Sequence, residues 1–239
     1  MKVFIETPEK LAQLAAQQYV KLIKNKPDAV LGFATGGTPV GLYQELQRLN
    51  KAGEISFGSV TSFNLDEYVG LDGTHDQSYR YFMNDNLFNH VDIRKECTFV
   101  PSGLGDLKQV AADYEKAIAA AGGVELQLLG IGQNGHIGFN EPGTPFGTLT
   151  HEVELTENTR QVNARYFSSI DEVPTHAITM GIRTVMNARS IMLIALGKSK
   201  AEIMKKMLQG PVTENVPASV LQLHPNVEIY MDQDAASLL

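Results

Sequence analysis

The chain has 239 residues, is 43% hydrophobic and carries a formal charge of −7 at pH 7, with a pI near 5.4. That length supports one large core and no composition shift divides it, so a single domain over residues 1–239 is expected. The acidic balance leaves no basic face for a nucleic-acid backbone, no run approaches the roughly 20 apolar residues of a membrane span, and the start Met1-Lys2-Val3-Phe4-Ile5-Glu6-Thr7-Pro8 lacks the apolar stretch of a signal peptide.

Helical periodicity from Pro8 to about Asn25 leads into a predicted strand at Ala29–Thr35, taken as the first, and then an amphipathic stretch from Pro39 to about Lys51. Further strands are predicted at Val60–Leu65, Thr98–Val100, Glu125–Leu129, Ser190–Leu196 and Val227–Met231, separated by helical segments near 78–90, 106–121 and 199–208. This alternation argues for an α/β fold: a mainly parallel sheet with helices on both faces. Residues 143–180 are rich in Gly, Thr, Pro and Asn, and Glu152-Val153-Glu154-Leu155 reads as part of an edge hairpin, so this region is expected to form a lid. Cys97 is the only cysteine, which fits a cytoplasmic protein without disulfide or thiolate metal cluster.

Three loops carry chemistry. Thr35-Gly36-Gly37-Thr38-Pro39 joins the Ala29 strand to a helix, with Thr38 the expected N-cap and Pro39 at N1. Its free N–H groups, unobstructed at two glycines, would form an anion seat reinforced by the helix dipole, and phosphate is the natural occupant. A tight turn without ligand needs similar residues, so both readings stand at this point. It is not a Walker A loop, and Gly197-Lys198-Ser199 is not one either, since Met192 stands where that motif needs its first glycine.

The second loop, Phe63-Asn64-Leu65-Asp66-Glu67-Tyr68-Val69-Gly70, sets two carboxylates at a strand's end, and either could serve as a base or be a solvated loop acid. A metal site from Asp66, Glu67, His75 and Asp76 is disfavoured because their spacing matches no known ligand set. The third, Gly130-Ile131-Gly132-Gln133-Asn134-Gly135-His136-Ile137-Gly138-Phe139-Asn140-Glu141-Pro142, begins like a dinucleotide fingerprint, but Gly138, Pro142 and Gly143 forbid the helix that motif must enter. Its glycines instead bring the backbone close to a ligand while presenting Asn134, His136 and Glu141. A structural histidine remains the competing reading. Arg165 in the lid, and Lys200 or Lys198 at a helix start, are candidate phosphate contacts.

Together with Leu221-Gln222-Leu223-His224-Pro225, these motifs in this order resemble the glucosamine-6-phosphate deaminases nearly end to end, in their shorter bacterial form. The resemblance implies a Rossmann-like doubly wound fold that takes glucosamine 6-phosphate and water to fructose 6-phosphate and ammonium, with no cofactor and no metal. It implies that His136 opens the sugar ring, that Glu141 and Asn134 hold the imidazole, and that Asp66 moves a proton from C2 to C1 through an enolamine. Gly36, Gly37, Thr38, Arg165 and Lys200 are then the phosphate contacts.

Longer members have an aspartate where this chain has Asn134, so His136 is expected to lean on Glu141. They also bind an activator, N-acetylglucosamine 6-phosphate, through basic residues after the histidine loop, where this chain reads Thr150-His151-Glu152-Val153. No such activation is expected, and monomer and homo-oligomer both remain open. The alternatives are a 6-phosphogluconolactonase, which needs no C2 base, and the sugar-phosphate sensor of a repressor, for which no DNA-binding segment is visible.

Overall fold

The computed structural model describes the backbone of residues 1–239 and all side chains except those of Asn158 and Tyr166. In chain order the elements are β1 (Lys2–Ile5), α1 (Pro8–Asn25), β2 (Val30–Phe33), α2 (Val40–Lys51), β3 (Thr61–Asn64), β4 (Asp66–Tyr68), α3 (Tyr79–Met83), β5 (Thr98–Phe99) and α4 (Leu107–Ala120). There follow β6 (Leu126–Leu129), β7 (His151–Glu154), α5 (Glu157–Asn163), β8 (His176–Thr179), α6 (Ile182–Met186), β9 (Ser190–Ala195), α7 (Ala201–Gln209) and β10 (Val227–Met231).

Seven strands form one sheet in the order β1-β10-β9-β6-β2-β3-β5, with every pairing parallel. The inner strands β2 and β6 are buried at every position, as two-sided coverage requires. Register shows how the faces divide. Gly32 lies beside Phe63, and Phe33 beside Asn64, so Phe33 and Phe63 point to opposite faces. Phe33 meets Tyr19 of α1 and Tyr43 of α2, whereas Phe63 meets Tyr114 of α4. The fold is a doubly wound α/β sheet with helices on both sides.

The chain winds from β2 outward to β3 and β5, then returns to β6 on the other side of β2. The switch in direction therefore falls between β2 and β6. Loops leaving their carboxyl ends part there and open a crevice, which is where open α/β sheets hold ligands.

Several expectations need correction. The first strand is β1, not the one near Ala29; it is a four-residue edge strand, mostly exposed, too short and too wet to leave an apolar period. Thr38 does not cap α2: Pro39 occupies that position in helical conformation with no side-chain cap. Val40 N already reaches Gly37 O at 3.4 Å, so the turn closes ahead of the Thr38 hydroxyl. The expected helix at 78–90 divides into α3 and a wide π-helical turn, Asn84–Phe88. The expected edge hairpin is instead a separate antiparallel sheet, β4-β8-β7, in which β7 pairs with β8 across the intervening α5 segment. No helix among the described residues is long and apolar enough to cross a membrane.

Candidate active site

A cavity of about 380 Å³ occupies the crevice, and its wall includes Gly36, Gly37, Thr38, Asp66, Asn134, His136, Arg165 and Lys200. Of the site residues that the resemblance implied, only Glu141 is off this wall; it lies behind His136, with 10% of its side chain exposed.

The anion seat comes from β2 and α2. Gly36 has φ 92°, a conformation natural to glycine, and a Cβ at Gly36 or Gly37 would meet nothing within 4 Å. The backbone thus faces open space. No acidic residue occupies the first turn of α2, so its N-terminal dipole is left for an incoming anion. Across the cavity, Lys200 Nζ donates to Ile131 O at 2.6 Å, held by the helical turn Lys198–Lys200 after β9. Burial lowers its pKa, and the nearby Arg165 guanidinium lowers it further. Two cations convergent enough to repel suit a dianion between them. Lys198 is exposed and off the cavity wall, whereas Lys200 lines it.

The two adjacent carboxylates part company. Glu67 accepts N–H bonds from Tyr68 and Tyr79, both at 2.8 Å, and from Arg80 at 3.0 Å, fixing the start of α3. Burial raises its pKa against the pull of those three donors. Asp66 is 6% exposed and takes no hydrogen bond from the described residues. Burial first, and the Glu67 charge second, push its pKa up to about 8. A carboxyl group that basic, facing a cavity, is suited to proton abstraction.

The histidine loop is shaped by glycines for which no side chain could substitute. A Cβ on Gly132 would stand 2.3–2.5 Å from three imidazole atoms of His136, so the ring lies flat on that backbone. Gly138, at φ 57°, would place a Cβ 2.8 Å from Thr179 Oγ1 and 3.4 Å from Asp66 Oδ2; the carboxylate loop and the histidine loop meet there. From behind, Ala218 N bonds Gly135 O at 2.9 Å, so the segment Pro217–Leu223 braces the loop. His224 in the last sequence motif is structural, with Nε2 donating to Ala188 O at 2.8 Å while Nδ1 accepts from Asn226 N.

Glu141 organises the polar groups beneath the ring. Its Oε2 accepts from Asn134 Nδ2 at 2.5 Å and lies 3.6 Å from His136 Nδ1, beyond hydrogen-bond length. Its Oε1 accepts from Thr159 Oγ1 at 2.5 Å. Burial works to raise its pKa, but His136, Thr159 and Asn134 together hold it down at about 2. The carboxylate stays ionised, and its charge beside Nδ1 favours the tautomer that carries the ring proton on that nitrogen.

Sequence reading did not find Thr159, nor the aromatic wall of Tyr68, Tyr79, Phe139 and Phe167, whose rings lie 4.8–6.0 Å apart. These come from four separate segments, and only Tyr68 and Phe139 fall inside motifs. Among the described residues no group of three or more His, Cys, Asp or Glu is placed to hold a metal ion.

A phosphate-sized seat at a switch point, faced by a basic carboxylate and an oriented imidazole, marks an α/β protein of the sugar-phosphate-handling class. Residues 6–230 match the family described as glucosamine-6-phosphate isomerases/6-phosphogluconolactonase, and the chain belongs to that family. It is 53% identical over 232 residues to a glucosamine-6-phosphate deaminase of Clostridium perfringens, covering 97% of this chain and 96% of the relative. It is 50% identical over 240 residues to glucosamine-6-phosphate deaminase 1 of Bacillus subtilis, covering 100% and 99%. A solved structure described as a monomeric glucosamine-6-phosphate deaminase superposes with TM-score 0.98 at 50% identity over the whole of both chains. The Trypanosoma brucei 6-phosphogluconolactonase superposes at 0.81 with 19% identity, covering 100% of this chain and 98% of that one, a likeness of fold alone.

Proposed function

We propose that this chain is a glucosamine-6-phosphate deaminase, hydrolysing and isomerising glucosamine 6-phosphate to fructose 6-phosphate and ammonium. The observation that carries the reading is the place of Asp66: a buried carboxyl group, without a hydrogen bond among the described residues, on the same cavity wall as His136 and the anion seat. Lactone hydrolysis has no use for a carbon base there.

The phosphate rests on Gly36, Gly37 and Thr38 between Arg165 and Lys200, so that binding energy from this end fixes the reacting carbons. His136 Nε2 takes the proton of the anomeric hydroxyl and delivers it to the ring oxygen as the C1–O5 bond breaks, giving the aldehyde, with Glu141 and Asn134 steadying the imidazole. The substrate's C2 ammonium lies near Asp66 and favours its ionised form. Once that nitrogen has lost a proton to solvent, Asp66 removes the C2 hydrogen while the aldehyde oxygen takes a proton from solvent, giving the enolamine; Asp66 then returns its proton to C1, giving the protonated ketimine. Water adds at C2, ammonia leaves, and fructose 6-phosphate remains.

Within the 143–180 segment, β7 and β8 are tied into the small sheet, so the lid motion belongs to the stretch between them, which carries Thr159 and Arg165. Its closure keeps bulk water from the enolamine.

The test follows ammonium and fructose 6-phosphate together from purified protein and glucosamine 6-phosphate, with 6-phosphogluconolactone as the rival substrate. Equimolar release of both products supports the reading. Lactone hydrolysis without ammonium would replace it.

A further inference from the structure

Glu141 bonds both the histidine loop, at Asn134, and the start of α5, at Thr159. On the loop side its Oε2 is bonded to Asn134 and stands 3.6 Å from His136 Nδ1, and that ring nitrogen is buried with no hydrogen-bond partner. On the other side, Thr156 caps α5 by accepting Thr159 N at 3.2 Å, its hydroxyl lies 3.0 Å from Thr159 Oγ1, and Thr159 Oγ1 donates to Glu141 Oε1. Thr159 is 5% exposed, so water does not compete for that bond. The turn Ala164–Tyr166, which bears Arg165 on the cavity wall, follows α5 directly. Two threonines at the start of α5 thus reach the same carboxylate oxygen, Thr159 at 2.5 Å and the cap Thr156 at 3.4 Å, and the shorter bond is the main link between the helix that carries a phosphate contact and the carboxylate that must orient the imidazole.

We propose that Thr159 is a positioning residue for the reaction: its hydroxyl carries the inward movement of α5, drawn by phosphate on Arg165, to Glu141, which then closes the gap to His136 Nδ1–H. The inference rests on the deaminase reading. Asn134 alone would leave the carboxylate free to swing about its bonded oxygen; the second tether removes that freedom. A shift of less than 1 Å turns the present contact into a charge-assisted hydrogen bond.

Three variants in a cycle test it, with ammonium and fructose 6-phosphate followed together. Thr159→Val keeps shape and removes the donor; kcat is expected to fall about tenfold, the rate equivalent of one bond to a charged group, with KM for glucosamine 6-phosphate within about twofold of wild type. Thr159→Ser restores the hydroxyl and should recover turnover. In a Glu141→Ala background, Thr159→Val should cost nothing further. Wild-type turnover in Thr159→Val, no recovery in Thr159→Ser, or an equal loss in the Glu141→Ala background would each overturn the proposal. If Thr159→Val does not fold, Thr159→Ala enters the same cycle. If wild-type protein releases neither product, the deaminase reading fails by itself, and the ring signals of His136 decide this one without turnover. Glucitol 6-phosphate should move the Nδ1–H resonance downfield in wild type and not in Thr159→Val; the same shift in both proteins refutes the coupling.

Discussion

Asp66→Asn separates chemistry from stability, because the feature that makes this carboxylate basic also makes it costly to fold. An ordinary aspartate in the unfolded chain ionises near pH 3.8, whereas the buried group holds its proton until about 8. Between those values the folded state binds more protons than the unfolded one, so this group's contribution to stability falls as pH rises and levels off above about 8. Each unit is worth about 1.4 kcal/mol, so near pH 7 the burden amounts to a few kcal/mol. Asparagine has the same shape and no charge to bury. Asp66→Asn should therefore be more stable than wild type at neutral pH, by roughly 10 °C in Tm for a chain of this size, while losing on the order of 10²–10⁴-fold or more in kcat with the base gone. The assay is thermal unfolding of both proteins from pH 4 to 8.5 beside turnover at pH 7. The gap in Tm should be small near pH 4 and widen toward pH 8, since every other group titrates alike in both proteins. A gap that does not change with pH, or a wild type more stable throughout, would refute the reasoning.

Glu141→Gln should lower kcat by about 10–100-fold, less than Asp66→Asn, because it disturbs the base's orientation and not the carbon base itself. Held at about 2, Glu141 adds stability above its ordinary value near 4.5 that is lost progressively as pH falls from there through 2; the wild-type advantage over Glu141→Gln in urea unfolding should shrink below pH 4.5. Lys200→Met and Arg165→Ala should each raise KM for glucosamine 6-phosphate about tenfold or more and leave the feeble reaction of unphosphorylated glucosamine unchanged; equal losses on both substrates would argue against a phosphate contact. Gly132→Ala should abolish turnover while phosphate still protects the protein against heat, because the new methyl would stand within 2.5 Å of the imidazole and must push the ring from its place. The rate curve should be hyperbolic and unmoved by N-acetylglucosamine 6-phosphate; a sigmoidal curve straightened by that ligand would show the regulatory reading wrong.

The long amphipathic helices and inner strands are legible in the sequence because their signals are local: three-to-four-residue periodicity along α1, α2 and α4, the apolar run from Ile191 to Ala195 in β9, a β6 that is apolar but for Gln127, and glycines at the strand ends. The three loops that gather at the cavity are legible for the same reason, since each packs its polar residues into a few consecutive positions. What only the tertiary structure decides lies in groups with no local mark. The strands β1, β4 and β8 are three or four residues long and take their form from the partner they meet. Asp66 and Glu67 are neighbours with the same side-chain chemistry in the sequence; three N–H groups aimed at Glu67 make it a brace, while burial on the cavity wall suits Asp66 to the role of base proposed for it. Thr159 looks like any helical threonine until folding sets Glu141 against it. Hydrophobic period is a property of consecutive residues, whereas burial and hydrogen-bond geometry belong to segments brought together by the fold, and it is these that set a carboxylate's proton affinity.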